Sequence, residues 1–170
     1  PLATETVTQS PNAENAAFDF MPELKRSRFQ PIMWGYKKNN HILRGKKRVR
    51  TILHAGTYKA LGMRPWIYET SNEFISGLRH LVLAVKELDK AYLIIRIRPN
   101  RECSVENLRK LMPESDNYEV KTSGNFLDDL KNADLLISFS STTIEEALYA
   151  HRPVGLFGGS ERYRYLPGSD

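Results

Sequence analysis

The 170-residue chain lacks several features that define common classes of protein. Its only cysteine, Cys103, has no partner for an internal disulfide, which favours a reducing compartment. No apolar run approaches the ~20 residues of a membrane-spanning helix, and the first residues lack the basic and apolar regions of a secretory signal. The chain does not begin with methionine, so we expect it to be a fragment or a processed form.

Motifs of several enzyme classes are also missing. Gly56 and Gly62 lack the G-x-G-x-x-G spacing of dinucleotide-binding proteins, and Met63 follows Gly62 where a P-loop needs lysine. No G-x-S-x-G elbow occurs, and the four histidines show no metal-ligand spacing. These absences argue against NAD-dependent dehydrogenases and P-loop nucleotidases, and the sequence predicts no metal site.

Positive charge is confined to the N-terminal part of the chain. Residues 1–50 carry 10 basic and 4 acidic side chains, a net charge of +6, whereas residues 51–170 carry 15 and 16, a net charge of −1. Seven basic residues gather between Lys37 and Arg50. A nucleic-acid-binding protein more often spreads its charge along a folded face with interleaved aromatics. We therefore expect a solvated or anionic-membrane-facing segment and no nucleic-acid partner.

The composition divides the chain at residue 48. Residues 1–17 are small and polar and predict a flexible lead-in. Residues 18–48 mix aromatic and basic side chains with Pro22, Pro31 and Gly35, which predicts an extended arm. Residues 49–170 are predicted to form one α/β domain.

This second part alternates short apolar strands with helical patterns. The predicted strands are Val49–His54, Tyr92–Ile97, Tyr118–Lys121, Leu135–Phe139 and Val154–Phe157. Capping residues Thr70 (with Glu73), Ser104 and Asn125 predict the starts of three helices, and a fourth runs from Thr143 to Ala150. This order predicts a Rossmann-like parallel sheet of five or six strands with helices on both faces, after the extended N-terminal arm.

Ligands of such sheets bind beyond the carboxyl ends of the strands, where the strand order reverses. Four of the five predicted strand ends are rich in Gly, Ser or Thr, which suits a phosphate but is also usual in strand-to-helix turns. The most informative end is Ser140–Thr143, because it leads into a helix that places Glu146 one turn further on, where a carboxylate could accept hydrogen bonds from ribose.

Two features of these strand ends have more than one interpretation. Thr142 and Glu145 have the spacing of a capping box, so either side chain could be purely structural. His54, at the predicted end of the first strand, would point into the crevice as a ligand donor or general acid/base, or would be a structural histidine.

Three segments, Asp134–Ser138, Ser140–Leu148 and Arg152–Val154, resemble the C-terminal donor-binding lobe of GT-B glycosyltransferases, above all those that make bacterial surface polysaccharides. The resemblance covers residues 49–159. UDP-sugar 2-epimerases and teichoic-acid-type glycerophosphotransferases share the pattern, so their lobes are alternatives. An alternative of another class is a non-catalytic module that binds anionic membrane or RNA through the basic arm.

The resemblance implies a nucleotide sugar as substrate, a polysaccharide or lipid-linked acceptor, and no cofactor or obligatory metal. It also implies a cytoplasmic enzyme, peripheral to the inner face of the plasma membrane. Glu146 would bind the ribose of the nucleotide, and Arg98 would contact a phosphate. The diphosphate would meet Ser140, Ser141 and Thr142, and the turn that contains Gly56 and Thr57 would approach the phosphates or the acceptor.

The chain departs from the family pattern at three points. Arg98-Pro99 stands where many members have His-Pro, and Phe139 stands where one variant has an acidic residue. We expect the N-terminal acceptor lobe to lie outside these 170 residues, so no catalytic residue is assigned and His54 is only a lesser candidate. We therefore expect the 170-residue chain alone to be inactive.

Overall fold

The computed structural model describes residues 5–8, 18, 25–29, 48–58, 69–98 and 104–158. The chain divides into two units, Pro1–His41 and Ile42–Asp170. In the first unit, strands β1 (Glu5–Thr8) and β2 (Lys25–Phe29) pair in parallel. The sequence pattern predicts neither strand, because both consist mainly of polar and charged residues. The rest of the predicted lead-in and arm, apart from Phe18 and Arg48, lies outside the described residues.

The described part of the second unit alternates five strands with four helices. The strands are β3 (Thr51–Gly56), β4 (Tyr92–Ile97), β5 (Tyr118–Lys121), β6 (Leu135–Ser138) and β7 (Val154–Leu156). The helices are α1 (Ser71–Lys86), α2 (Val105–Leu111), α3 (Phe126–Asn132) and α4 (Thr143–Tyr149). All five strands are parallel, in the order β5-β4-β3-β6-β7, which confirms the predicted Rossmann-like α/β fold.

The core lies on both faces of this sheet, because successive residues of a strand point to opposite sides. Buried Ile52, Leu93 and Ile95 pack with the apolar stripe of α1 on one face. Their neighbours Leu53 and Ile94 are also buried and face the other side, where α3 packs against β3 and α4 against β6 and β7. A strand covered on both faces needs an almost continuous apolar run, which is why the sequence pattern located these strands.

The helix starts follow from local hydrogen bonds. Thr70 and Glu73 form the predicted capping box at α1, with the Thr70 side chain accepting from the Glu73 N–H and the Glu73 carboxylate accepting from the Thr70 N–H. The side chains of Ser104 and Asn125 accept from backbone N–H groups of α2 and α3, as predicted. These caps satisfy donors that have no partner inside the helix.

The predicted position of the first sheet strand is wrong by two residues at each end. The structure places β3 at Thr51–Gly56, whereas the β-rich composition of residues 49–54 predicted a strand at Val49–His54. The Asp134 carboxylate, at the start of β6, accepts hydrogen bonds from the N–H groups of Arg50 and Thr51, both at 3.0 Å. A distant side chain therefore fixes the start of β3, and the strand continues past His54.

Strand order reverses between β3 and β6. These strands pair only as far as His54 and Ile137. One residue further on, the buried hydroxyl of Ser138 donates to the carbonyl oxygen of Ala55 at 2.7 Å. The carboxyl ends of the two central strands are thus held together by a side chain, at the point where a crevice is expected.

Within the described residues, no helix has both the length and the apolar character that a bilayer crossing requires.

Candidate functional site

A cleft of about 280 Å³ opens at the carboxyl ends of the central strands. Its walls come from the ends of β3, β4 and β5, the turn after β6, and the first residues of α3 and α4. It therefore lies at the reversal of strand order, where ligands of open α/β sheets bind. Its volume is close to the lower end of the ~300–1,000 Å³ range typical of small-molecule sites.

Six of the seven predicted binding residues line this cleft: Gly56, Thr57, Arg98, Ser141, Thr142 and Glu146. The seventh, Ser140, lines a smaller cavity of about 20 Å³ that shares Gly56, Thr57 and Ser141 with the cleft. Residues from three separate parts of the sequence are brought together, which is what a binding site at this edge requires. Their roles in binding stay predictions.

The turn into α4 differs from the predicted capping box. Thr142 has the helical backbone angles φ −58° and ψ −15°, and its side chain makes no capping hydrogen bond. An N-cap residue normally has extended angles that bring its side chain over the free N–H groups. Ser141 takes part of this role, because its Oγ accepts from the N–H of Thr143 at 3.3 Å. Neither the Thr142 hydroxyl nor the exposed Glu145 is engaged in a capping box.

Arg96 is the cation most firmly held at the cleft. Its side chain is 14% exposed and pairs with Asp129 of α3, while a second guanidinium nitrogen donates to the carbonyl oxygen of Gly124. The same Asp129 accepts from Lys121 Nζ at 3.1 Å, and Lys121 also pairs with Glu119. These contacts use two of the five N–H donors of the guanidinium and fix its orientation at the cleft wall.

Glu146 is the acidic side chain of the cleft wall. It is half-buried, and burial raises its pKa above the usual value, with the charge of Glu145 adding to the effect. A raised pKa means that the carboxylate has lost hydration without gaining enough compensating interactions. Hydroxyl groups of a ligand would stabilise the carboxylate by donating to it, so the environment of Glu146 suits a ligand with adjacent hydroxyls.

His54 does not occupy the predicted position at the end of a strand. It lies within β3, is 5% exposed, and packs against the Phe74 ring of α1 with the ring centroids 6.1 Å apart. Burial lowers its pKa to about 4, so the imidazole is neutral at pH 7. It borders the small cavity and is not part of the wall of the larger cleft.

Six cleft residues are missing from the predicted set: Ala55, Arg96, Ile97, Thr122, Phe126 and Thr143. The sequence alone could have indicated Arg96 as a site residue, because it is the one charged residue in the otherwise apolar strand Tyr92–Ile97. A charge in a buried strand requires a partner or a ligand. Thr143 Oγ1 is buried and has no hydrogen-bond partner among the described residues, which only the three-dimensional structure shows.

Within the described ranges, no group of three or more His, Cys, Asp or Glu residues is arranged to hold a metal ion. Comparisons of the chain with protein-family models, with curated proteins and with solved structures find no match.

Proposed function

We propose that the second unit is the donor-binding lobe of a glycosyltransferase and that its cleft binds a nucleoside diphosphate sugar. The observation that carries this proposal is the composition of one cleft at the reversal of strand order. Arg96 and Arg98 line it together with the hydroxyl-rich turn and Glu146. A cleft with cations and a carboxylate matches a ligand that has a diphosphate and a ribose.

The charges suggest how the ligand lies. The guanidinium of Arg96 would donate to diphosphate oxygens through the N–H groups that Asp129 and Gly124 leave available. Glu146 would accept from the two ribose hydroxyls, which compensates the lost hydration of its carboxylate. Hydroxyls of the turn, such as that of Thr142, would complete the phosphate contacts.

In the intact enzyme, the bond between the anomeric carbon of the sugar and the diphosphate oxygen breaks. Its electron pair leaves with the diphosphate, and an acceptor hydroxyl forms the new bond to the sugar and loses its proton. Cations fixed in advance stabilise the charge that develops on the leaving group. The catalytic base and the acceptor site would belong to another lobe, so we expect no sugar transfer by the 170-residue chain alone.

The resemblance to bacterial surface-polysaccharide enzymes supports a polysaccharide or lipid-linked acceptor, used on the cytoplasmic side of the plasma membrane. The seven basic residues between Lys37 and Arg50 support a position at an anionic membrane surface.

A thermal-shift screen of the purified chain against UDP, GDP, CDP, ADP and dTDP tests this proposal. A ligand at ~100 times its dissociation constant stabilises the native state by ~2.7 kcal/mol, which raises the midpoint by on the order of 5–10 °C for a chain of this size. We expect such a shift with at least one nucleoside diphosphate. The matching nucleosides, which lack the diphosphate, serve as controls and should give a much smaller shift. No shift with any of the five diphosphates would contradict the proposal.

A further inference from the structure

The small cavity beside the cleft has room for one water-sized group. Its volume is about 20 Å³, above the ~10–15 Å³ that a single water requires by this measure. His54, Glu69 and Ser140 line it together with Gly56 and Thr57, which also line the cleft. The rings of Phe74 and Phe139 complete the lining, so the cavity is part polar and part apolar. It lies next to the space in which the proposed ligand would bind.

One edge of the His54 imidazole faces Gly56, and both residues line this cavity. A Cβ atom placed on Gly56 would lie 2.8 Å from Cε1 and 3.4 Å from Nε2 of His54, so the Cε1–Nε2 edge faces Gly56. The other nitrogen, Nδ1, is bonded to Cε1 on the side away from Nε2; it is buried and has no hydrogen-bond partner among the described residues. Because Gly56 has no side chain, nothing at that position separates the Nε2 edge from the cavity.

The surroundings of the ring decide which nitrogen carries the proton. Burial keeps the imidazole neutral at pH 7, so only one of its nitrogens is protonated. A buried N–H without an acceptor is costly, and Nδ1 has no acceptor in reach among the described residues. The proton therefore belongs on Nε2, which makes His54 an uncharged donor on the cavity side.

We propose that this cavity is a subsite for one sugar hydroxyl of the bound ligand, with its oxygen accepting a hydrogen bond from Nε2–H of His54. The sugar hydroxyl can itself donate to the Ser140 hydroxyl or to the Glu69 carboxyl group, which both line the cavity. A carboxylate has about four lone-pair sites, so Glu69 can accept more than one hydrogen bond. A phosphate is too large for the cavity. The subsite rests on the proposed function, because only a nucleotide sugar bound in the cleft brings a hydroxyl next to it.

Calorimetric titration tests the subsite with matched ligands. The probes are the nucleoside diphosphate that gives the largest thermal shift and its conjugates with glucose, galactose and N-acetylglucosamine. In the wild type, we expect at least one conjugate to bind more tightly than the diphosphate. In His54→Phe, the affinity for that conjugate should fall by about 3- to 10-fold, the value of one neutral hydrogen bond, while the affinity for the diphosphate stays unchanged.

Two further variants control the experiment. His54→Gln keeps an uncharged side-chain N–H donor and should retain most of the difference between conjugate and diphosphate. His80→Phe makes the same change at an exposed histidine of α1 and should bind every probe as the wild type does.

The possible failures of the subsite and of the proposed function are distinguishable. The subsite is contradicted if the sugar adds no affinity in the wild type, or if His54→Phe weakens diphosphate and conjugate equally. It is also contradicted if His54→Phe changes neither affinity, which would mean that the cavity holds only water. If no nucleoside diphosphate binds the wild type at all, the proposed function fails and the subsite fails with it.

Discussion

Acidification from pH 7 to pH 4 should lower the free energy of unfolding by about 3 kcal/mol through His54 alone. The imidazole has a pKa of about 4 in the folded chain because it is buried, against 6.5 when it is solvated. Above pH 6.5, both the folded and the unfolded state keep it neutral, so it contributes no pH dependence. Between pH 6.5 and 4, the unfolded state binds a proton that the folded state does not, and stability falls by about 1.4 kcal/mol per pH unit. Below pH 4, both states are protonated and the loss is complete.

Chemical denaturation at several pH values between 7 and 4 measures this effect, with His54→Gln as the comparison. Other titratable groups of the chain also contribute to the pH dependence of stability. Their contribution is common to both proteins, so the difference between the two pH profiles isolates His54. The exposed-site control His80→Gln should keep the wild-type profile. Parallel profiles for the wild type and His54→Gln would show that His54 is not buried as a neutral group.

Replacing Arg96 by alanine should weaken the binding of pyrophosphate by about 10- to 150-fold, the range for a hydrogen bond to a charged group. The Arg96 side chain is 14% exposed and already oriented by Asp129 and Gly124, so it loses little freedom when an anion binds. Arg98 is exposed and would have to be immobilised on binding. We therefore expect Arg98→Ala to cost less than about 5-fold, as for an exposed ion pair.

Titration of pyrophosphate at constant ionic strength compares these variants. Arg96→Lys is the matched control, because it keeps the charge but loses the planar fork that contacts Asp129 and that would contact the proposed ligand. It should fall between the wild type and Arg96→Ala. Thermal unfolding without ligand shows whether each variant is folded. A larger loss in Arg98→Ala than in Arg96→Ala would favour the assignment that the family resemblance gives.

The sequence predicts those parts of the fold that depend on local patterns. The strands Tyr92–Ile97 and Tyr118–Lys121 have the predicted ends, and Thr70 and Glu73 start α1 as their spacing indicates. A capping box and an apolar run act within a few residues, so local sequence contains the information. The strands β1 and β2 had no such signal, because they pair through the backbone and are mainly polar.

The details of the candidate site depend on contacts between distant residues. The start of β3 is fixed by Asp134, more than 80 positions away, and this places His54 inside the strand. Of Arg96 and Arg98, it is Arg96 that is held in place at the cleft wall, because it pairs with Asp129, which lies in a helix 33 positions after Arg96. Motif spacing located the edge of the sheet at which the cleft opens, but it could not show which side chains are held in place there.

The most direct test of the central claim is calorimetric titration of Glu146→Ala with a nucleoside diphosphate and with pyrophosphate. If the Glu146 carboxylate accepts hydrogen bonds from ribose, its removal should weaken the nucleotide by ~10- to ~150-fold and leave pyrophosphate binding unchanged. Glu145→Ala is the matched control, because Glu145 is exposed, does not line the cleft and takes no part in a capping box. It should bind both ligands as the wild type does. Nucleotide binding by Glu146→Ala as tight as that of the wild type would contradict the account.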